Sequence, residues 1–307
     1  MSKVFIPFFL ISMFCGLYPQ ASLADEKLHV TVSILPQRYF VKKIGGNLVA
    51  VSVMVLPGFS PATYEPKPAQ LKDLHASGIY FAIGVPFEKT WLERFKGVNP
   101  EMAIVYTDRG IKKRHMMAHH HGLREDVHGQ EEKNAKKGDY PDPHIWLSPP
   151  LVKLQAIVIA ESLIRTDPSN RAVYENNLSL FLDELDRLDR KIKEILETVG
   201  KQNAFLVFHP TWGYFADHYG LTQIPMEAEG KEPGAAYLVE VIRYARNKGV
   251  GAVFVQPQFS TKTARVVARE TGARVVIADP LAEDWEKNLL DVAKKFRLNS
   301  SLKEKIH

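Results

Sequence analysis

Three side chains stand where α/β proteins gather their ligands. His209 directly follows the apolar run Ala204–Phe208, and Asp279 directly follows Arg274–Ala278. Read as parallel strands, these runs place both residues at carboxyl ends, where open α/β sheets bind. His144 lies in Asp142-Pro143-His144-Ile145-Trp146-Leu147-Ser148-Pro149. A proline next to each of the three stiffens the turn that would carry a ligand. Taken singly, such residues are usually turn caps or satisfied histidines; their shared position raises them together. Imidazole and carboxylate donors suit zinc, manganese or iron(II).

A second group of imidazoles has a different character. From Ile111 to Asp139 the chain is rich in Lys, His, Glu and Gly. His115, His119, His120, His121 and His128 place five of the eleven histidines in this stretch. So polar a segment cannot bury enough apolar surface to offset the entropy of ordering, and it reads as a mobile surface loop. Exposed histidine tracts capture metal; a solvated loop with incidental histidines is the alternative.

Ligands need a frame. Apolar runs at Leu28–Leu35, Val49–Leu56, Ile79–Ile83, Ala103–Thr107, Ala204–Phe208, Gly251–Val255 and Arg274–Ala278 are mostly continuous rather than alternating. That fits strands covered on both faces, as in parallel sheets. Helical patterns fall at Pro68–Ala76, Phe87–Phe95, Ala235–Lys248 and Lys262–Thr271. The strand–helix rhythm occurs twice, which predicts two α/β lobes. Between them, Leu178, Phe181, Leu185, Leu188, Ile192, Ile195 and Val199 form one apolar stripe, with no Gly or Pro from Arg171 to Val199. This predicts a spine helix over 169–199, roughly 45 Å long; a coiled-coil segment is the alternative. The expected fold is α/β, two parallel-sheet lobes joined by a long rigid helix with the metal site in the cleft. The expected organisation is a signal peptide over 1–24, a lobe over 25–168 carrying the loop 111–139, the spine, and a lobe over 200–307.

Composition sets the outer limits. The chain has 307 residues, 45% hydrophobic and 24% charged, a globular balance that excludes a disordered or collagen-like chain. Its net charge of +5 is spread among acids, so no nucleic-acid partner is expected. Lys3, the apolar stretch Val4–Leu17 and Ser22-Leu23-Ala24 read as a signal peptide cleaved before Asp25. Lipidation at Cys15 is disfavoured by Phe14, where a small residue is needed. Cys15 is the one cysteine, so the mature chain would hold metal only through His, Asp or Glu.

Asp142-Pro143-His144-x-Trp146-Leu147-x-Pro149 resembles the Asp-Pro-His-x-Trp-Leu motif of the metal-binding receptors of bacterial zinc/manganese ABC importers, the cluster A-I group. Phe208-His209 with Gly213-Tyr214-Phe215 and Tyr219-Gly220-Leu221 is similar to the segment with that family's third ligand. Gln256-Pro257-Gln258-Phe259-Ser260 and Asp279-Pro280-Leu281 resemble its closing segments. The resemblance covers almost the whole mature chain. It implies metal ligation by His144, His209 and Asp279, an ABC permease as partner, and a periplasmic monomer that is not an enzyme. His at 209 is similar to the zinc-type members, so zinc is expected before manganese or iron(II). There is one departure. The family's Pro-His-Thr-Tyr-Glu-Pro-x-Pro reads Pro61-Ala62-Thr63-Tyr64-Glu65-Pro66-Lys67-Pro68 here, so the first ligand is missing. Water, Glu227, Glu229 or a loop histidine are the substitutes. Competing readings are a metal store without a permease and a zinc hydrolase. No His-Glu-x-x-His motif supports the latter.

Overall fold

The computed structural model describes residues 27–116, 141–197, 204–227 and 233–301. Expectations for the leader 1–24, for Cys15, for His119, His120, His121 and His128, and for Glu229 lie outside the described residues.

The chain runs β1 (Leu28–Val32), α1 (Leu35–Gly45), β2 (Val49–Val53), α2 (Pro68–His75), β3 (Ile79–Ala82), α3 (Glu88–Val98), β4 (Ala103–Tyr106) and α4 (Pro149–Thr166). It continues through α5 (Arg171–Leu196), β5 (Ala204–Val207), α6 (Gly213–Tyr219), β6 (Thr222–Pro225), α7 (Ala235–Asn247), β7 (Ala252–Val255), α8 (Lys262–Thr271), β8 (Arg274–Ile277) and α9 (Trp285–Ser301).

The strands form two parallel sheets, β2-β1-β3-β4 and β6-β5-β7-β8. Each half has the same strand order, and each reverses direction once, between β1 and β3 or between β5 and β7. The central strands β3 and β7 are buried at every residue, which explains their unbroken apolar sequences Ile-Tyr-Phe-Ala and Ala-Val-Phe-Val.

The spine is α5, of 26 residues and about 39 Å. It buries Tyr174, Phe181, Leu185, Leu188, Ile192 and Leu196; Leu178 and Ile195 of the expected stripe are half-buried, and Val199 lies outside the described residues. It starts later than position 169 because Pro168–Asn170 forms a separate tight turn, in which Asp167 accepts from Ser169, Asn170 and the Tyr174 hydroxyl. It is also not a lone strut. α4 runs back along it, and α1 and α9 pack on it. One apolar core therefore extends from Val32 and Phe40 through Phe181 and Leu188 to Phe205, Phe254 and Phe296. A second core, with Leu206, Val241, Val253 and Val267, lies under α7 and α8. Each fully buried side chain of this kind contributes about 1.5–3 kcal/mol, so the lobes share stabilisation rather than merely touching.

Candidate metal centre

A cavity of about 980 Å³ lies between the lobes and is lined by residues following both strand-order reversals. On the second lobe's wall, His209 leaves β5 while Gln256 leaves β7. The Gln256 amide donates to the His209 carbonyl (2.6 Å) and to Thr211 Oγ1 (3.0 Å), and its Oε1 accepts from the His209 N–H (3.4 Å). The diverging strands thus open a crevice, and Gln256 fixes the turn inside it. Behind the ring, Glu227 Oε1 lies 2.7 Å from His209 Nδ1. Glu227 lies two residues beyond β6, and its own N–H donates to the Phe208 carbonyl (3.1 Å). An ionised carboxylate only accepts, so Nδ1 carries the proton and Nε2 keeps its lone pair for an ion.

His144 repeats this design. Asp142 Oδ1 accepts from both Nδ1 (2.7 Å) and the backbone N–H (3.0 Å) of His144. Burial pushes the imidazole's pKa below its ordinary value, against the pull of Asp142, so the ring is neutral at pH 7. The two rings lie 5.4 Å apart, centre to centre.

Although His144 precedes the spine in sequence, it is bolted to the second lobe. The Tyr214 hydroxyl on α6 donates to the Asp142 carbonyl (2.9 Å) and accepts from the Arg114 N–H (3.0 Å). Trp146 Nε1 donates to the Pro280 carbonyl (2.7 Å), and Trp285 Nε1 donates to the Trp146 carbonyl (2.7 Å). His144 and His209 therefore belong to one rigid body.

Asp279 stands apart from this pair. Its Oδ1 accepts from Gln258 Nε2 and from the Leu281 N–H, both at 3.0 Å. The residue lines a neighbouring cavity of about 210 Å³, beside Glu283. Among the described residues, no group of three His, Cys, Asp or Glu side chains is close enough to hold an ion. Glu227 cannot complete one as placed, because it holds the ring edge opposite Nε2. His115 is exposed and pairs with Pro141 in a short antiparallel bridge, at the stem of the His-rich segment. Ala62 lines the large cavity from the first lobe, in a loop tied to the start of α3 by the Phe87 N–H on the Pro61 carbonyl (3.2 Å).

The first lobe fills its own reversal point differently. Glu88, the first residue of α3, accepts from Ser33 Oγ (2.6 Å), the Ile83 N–H (3.0 Å) and the Gly84 N–H (2.8 Å). Gly84 adopts φ +87°, a conformation that favours glycine, and this aims its N–H at the carboxylate. Tyr80 completes the network through Ser33 (2.6 Å). Burial pushes the Glu88 carboxyl up to about 7. Nothing in the sequence marks Glu88, whereas Asp142 could have been suspected from its place two residues before His144.

Comparison with known proteins gives a consistent picture. The family model for ZnuA, the periplasmic component A of the zinc-uptake complex, matches residues 30–296. The high-affinity zinc uptake system protein ZnuA of Bacillus subtilis is 27% identical over 301 residues, covering 94% of this chain and 92% of that protein. A crystal structure of ZnuA is 44% identical with a TM-score of 0.80, covering 90% of this chain and 100% of the other. A structure of a ZnuA deletion mutant with zinc bound is 45% identical with a TM-score of 0.79, covering 90% of this chain and 98% of the other.

Proposed function

This chain belongs to the ZnuA family of zinc-uptake components, and on that premise we propose that it captures zinc outside the cytoplasm and passes it to an ABC permease. His144 and His209 are the ligands, and Asp279 is assigned as the third. The carrying observation is the pair of imidazoles, each with Nδ1 held by a buried carboxylate and Nε2 left for an ion. Such backing fixes the tautomer and raises ligand basicity. Asp279 Oδ1 is held by Gln258 and Leu281, while its Oδ2 makes none of these bonds. Imidazole donors favour zinc over manganese, which prefers oxygen. The periplasm is the compartment, reached through cleavage of the leader before Asp25.

The geometry does not favour a zinc hydrolase. Such an enzyme needs a base beside the ion's open position. The carboxylates nearest the pair, Asp142 and Glu227, are both committed to histidine Nδ1 atoms. A metal store without a permease differs only in its partner, and zinc uptake by cells lacking the cognate permease separates the two.

Calorimetry of residues 25–307 with zinc should show one tight event. His144→Ala and His209→Ala should each weaken it by on the order of a hundredfold, one ligand's share of the roughly 10–16 kcal/mol of a structural zinc site. If both variants leave the tight event unchanged, the assignment is wrong.

A further inference from the structure

Resting on the zinc-receptor reading, we infer that Arg114 is a positioning residue for zinc: it steadies Asp142, which orients the His144 imidazole, and Gly213 provides the seat its guanidinium needs. Asp142 holds His144 with a single oxygen, since Oδ1 accepts from both Nδ1 (2.7 Å) and the backbone N–H (3.0 Å). Its side chain is buried, and a buried carboxylate without an opposite charge is costly. Arg114 supplies that charge, with Nε 3.9 Å from Asp142 Oδ2. Among the described residues it is the one Lys or Arg in an ion pair with Asp142. The two main chains are joined as well, because the Asp142 N–H donates to the Arg114 carbonyl (2.8 Å) beside the bridge between His115 and Pro141.

The guanidinium has a fitted slot. Its Cζ lies 5.8 Å from the centre of the Tyr214 ring, and Nη1 lies 3.4 Å from Asp217 Oδ2. Gly213 closes the slot. A Cβ at this position would overlap Nη1 and stand 2.6 Å from Cζ and 3.1 Å from Asp142 Oδ2. Gly213 does not have a positive φ, so the room for Arg114, rather than the backbone, calls for glycine here. Nη1 is buried and makes no hydrogen bond. Leaving such a donor unmet is unfavourable, so the guanidinium is kept in place by the acids on either side and by the shape of the slot. The bonds from Arg114 to Tyr214 and to the Asp142 N–H are main-chain bonds. They survive a change of side chain, which separates the guanidinium's role from that of the stem.

Competition between the zinc-loaded 25–307 chain and a chelator at fixed pH, with thermal unfolding of each variant alongside, tests this. Arg114→Met should weaken the tight event about tenfold, the lower end of what outer-shell partners contribute. Gly213→Ala keeps the charge but displaces it, and should weaken the event by a similar factor. Arg114→Lys keeps the charge without the planar fork and should fall between Met and wild type. Both losses should vanish in an Asp142→Asn background, because the guanidinium acts through that carboxylate; a merely structural residue would give losses that multiply. Should Arg114→Met fail to fold, Gly213→Ala and Arg114→Lys read the same quantity. Affinity that is unchanged or tighter in the folded variants overturns the inference, and so do losses that persist in full beside Asp142→Asn. If His144→Ala weakens the event while these variants do not, the inference alone falls. If His144→Ala also leaves it unchanged, the receptor site falls with it.

Discussion

The two lobes repeat one strand order and place opposite chemistry at the same point of it. Where β5 and β7 diverge, the second lobe presents His209, with its backbone clamped by Gln256 and Nε2 left unbonded. Where β1 and β3 diverge, the first lobe buries Glu88 and saturates it with Ser33 Oγ and the N–H groups of Ile83 and Gly84. Topology creates a crevice in both. Whether the crevice binds depends on whether its polar group is satisfied within the fold or left with an open lone pair. The other histidine, His144, comes from the first half of the sequence yet is fastened to the second lobe through Tyr214, Pro280 and Trp285. Both histidines therefore stand on one side of the cleft, facing Ala62 on the other.

The largest effect expected from this contrast is on stability. Glu88 titrates near 7 in the folded chain because burial disfavours its charge. Its folded pKa is raised, so its stabilising contribution is full below about 4.3, the ordinary glutamate value, and is lost as pH rises through about 7. The loss amounts to up to about 4 kcal/mol across that window. Thermal unfolding of Glu88→Gln should lack that part of the pH slope, and its tight zinc event should persist. A variant with the wild-type slope, or one that loses zinc, would erase the distinction between the two crevices.

A smaller effect is expected behind the ligands. Asp142→Asn and Glu227→Gln keep shape but remove the charge that fixes each imidazole, and second-shell losses of this kind cost about 10–100-fold in metal affinity. Competition with a zinc chelator at fixed pH measures it. An unchanged affinity would mean that these carboxylates only fill space. A loss well beyond that of His209→Ala would make Glu227 a ligand rather than the support of one.

Much of this architecture was legible from apolar runs, because central parallel strands must be apolar on both faces. α1 was missed because its first residue, Leu35, closes the apolar run Leu28–Leu35, so the helix start merges with the end of β1. α4 was missed because it is apolar over most of its circumference, which blurs helical periodicity. β6 was missed because Thr222–Pro225 is short and carries Gln223 and a proline. That last omission explains the treatment of Glu227 in the sequence. Beside an apparent loop it reads as a spare ligand for the position of Ala62; at the end of a strand next to β5 it stands behind His209. His144 and His209 stood out in the sequence only together, one in a proline-stiffened turn and one after a buried strand, since either alone is usually a histidine satisfied within the fold. The convergence of exactly which donors depends on side-chain hydrogen bonds such as those holding Asp279, and no spacing rule encodes them.

The His-rich segment bears on the choice of protein for the decisive measurement. Arg114 at its stem contacts Tyr214, and its carbonyl accepts from the Asp142 N–H (2.8 Å), so a deletion must spare the stem. Zinc-edge X-ray absorption on the zinc-loaded chain lacking 118–139, in histidine-free buffer, counts imidazoles around the ion directly. The expected result is two imidazole nitrogens with oxygen donors completing the shell. An oxygen-only shell, or three or more imidazoles in the absence of the loop histidines, would contradict a site built on His144 and His209.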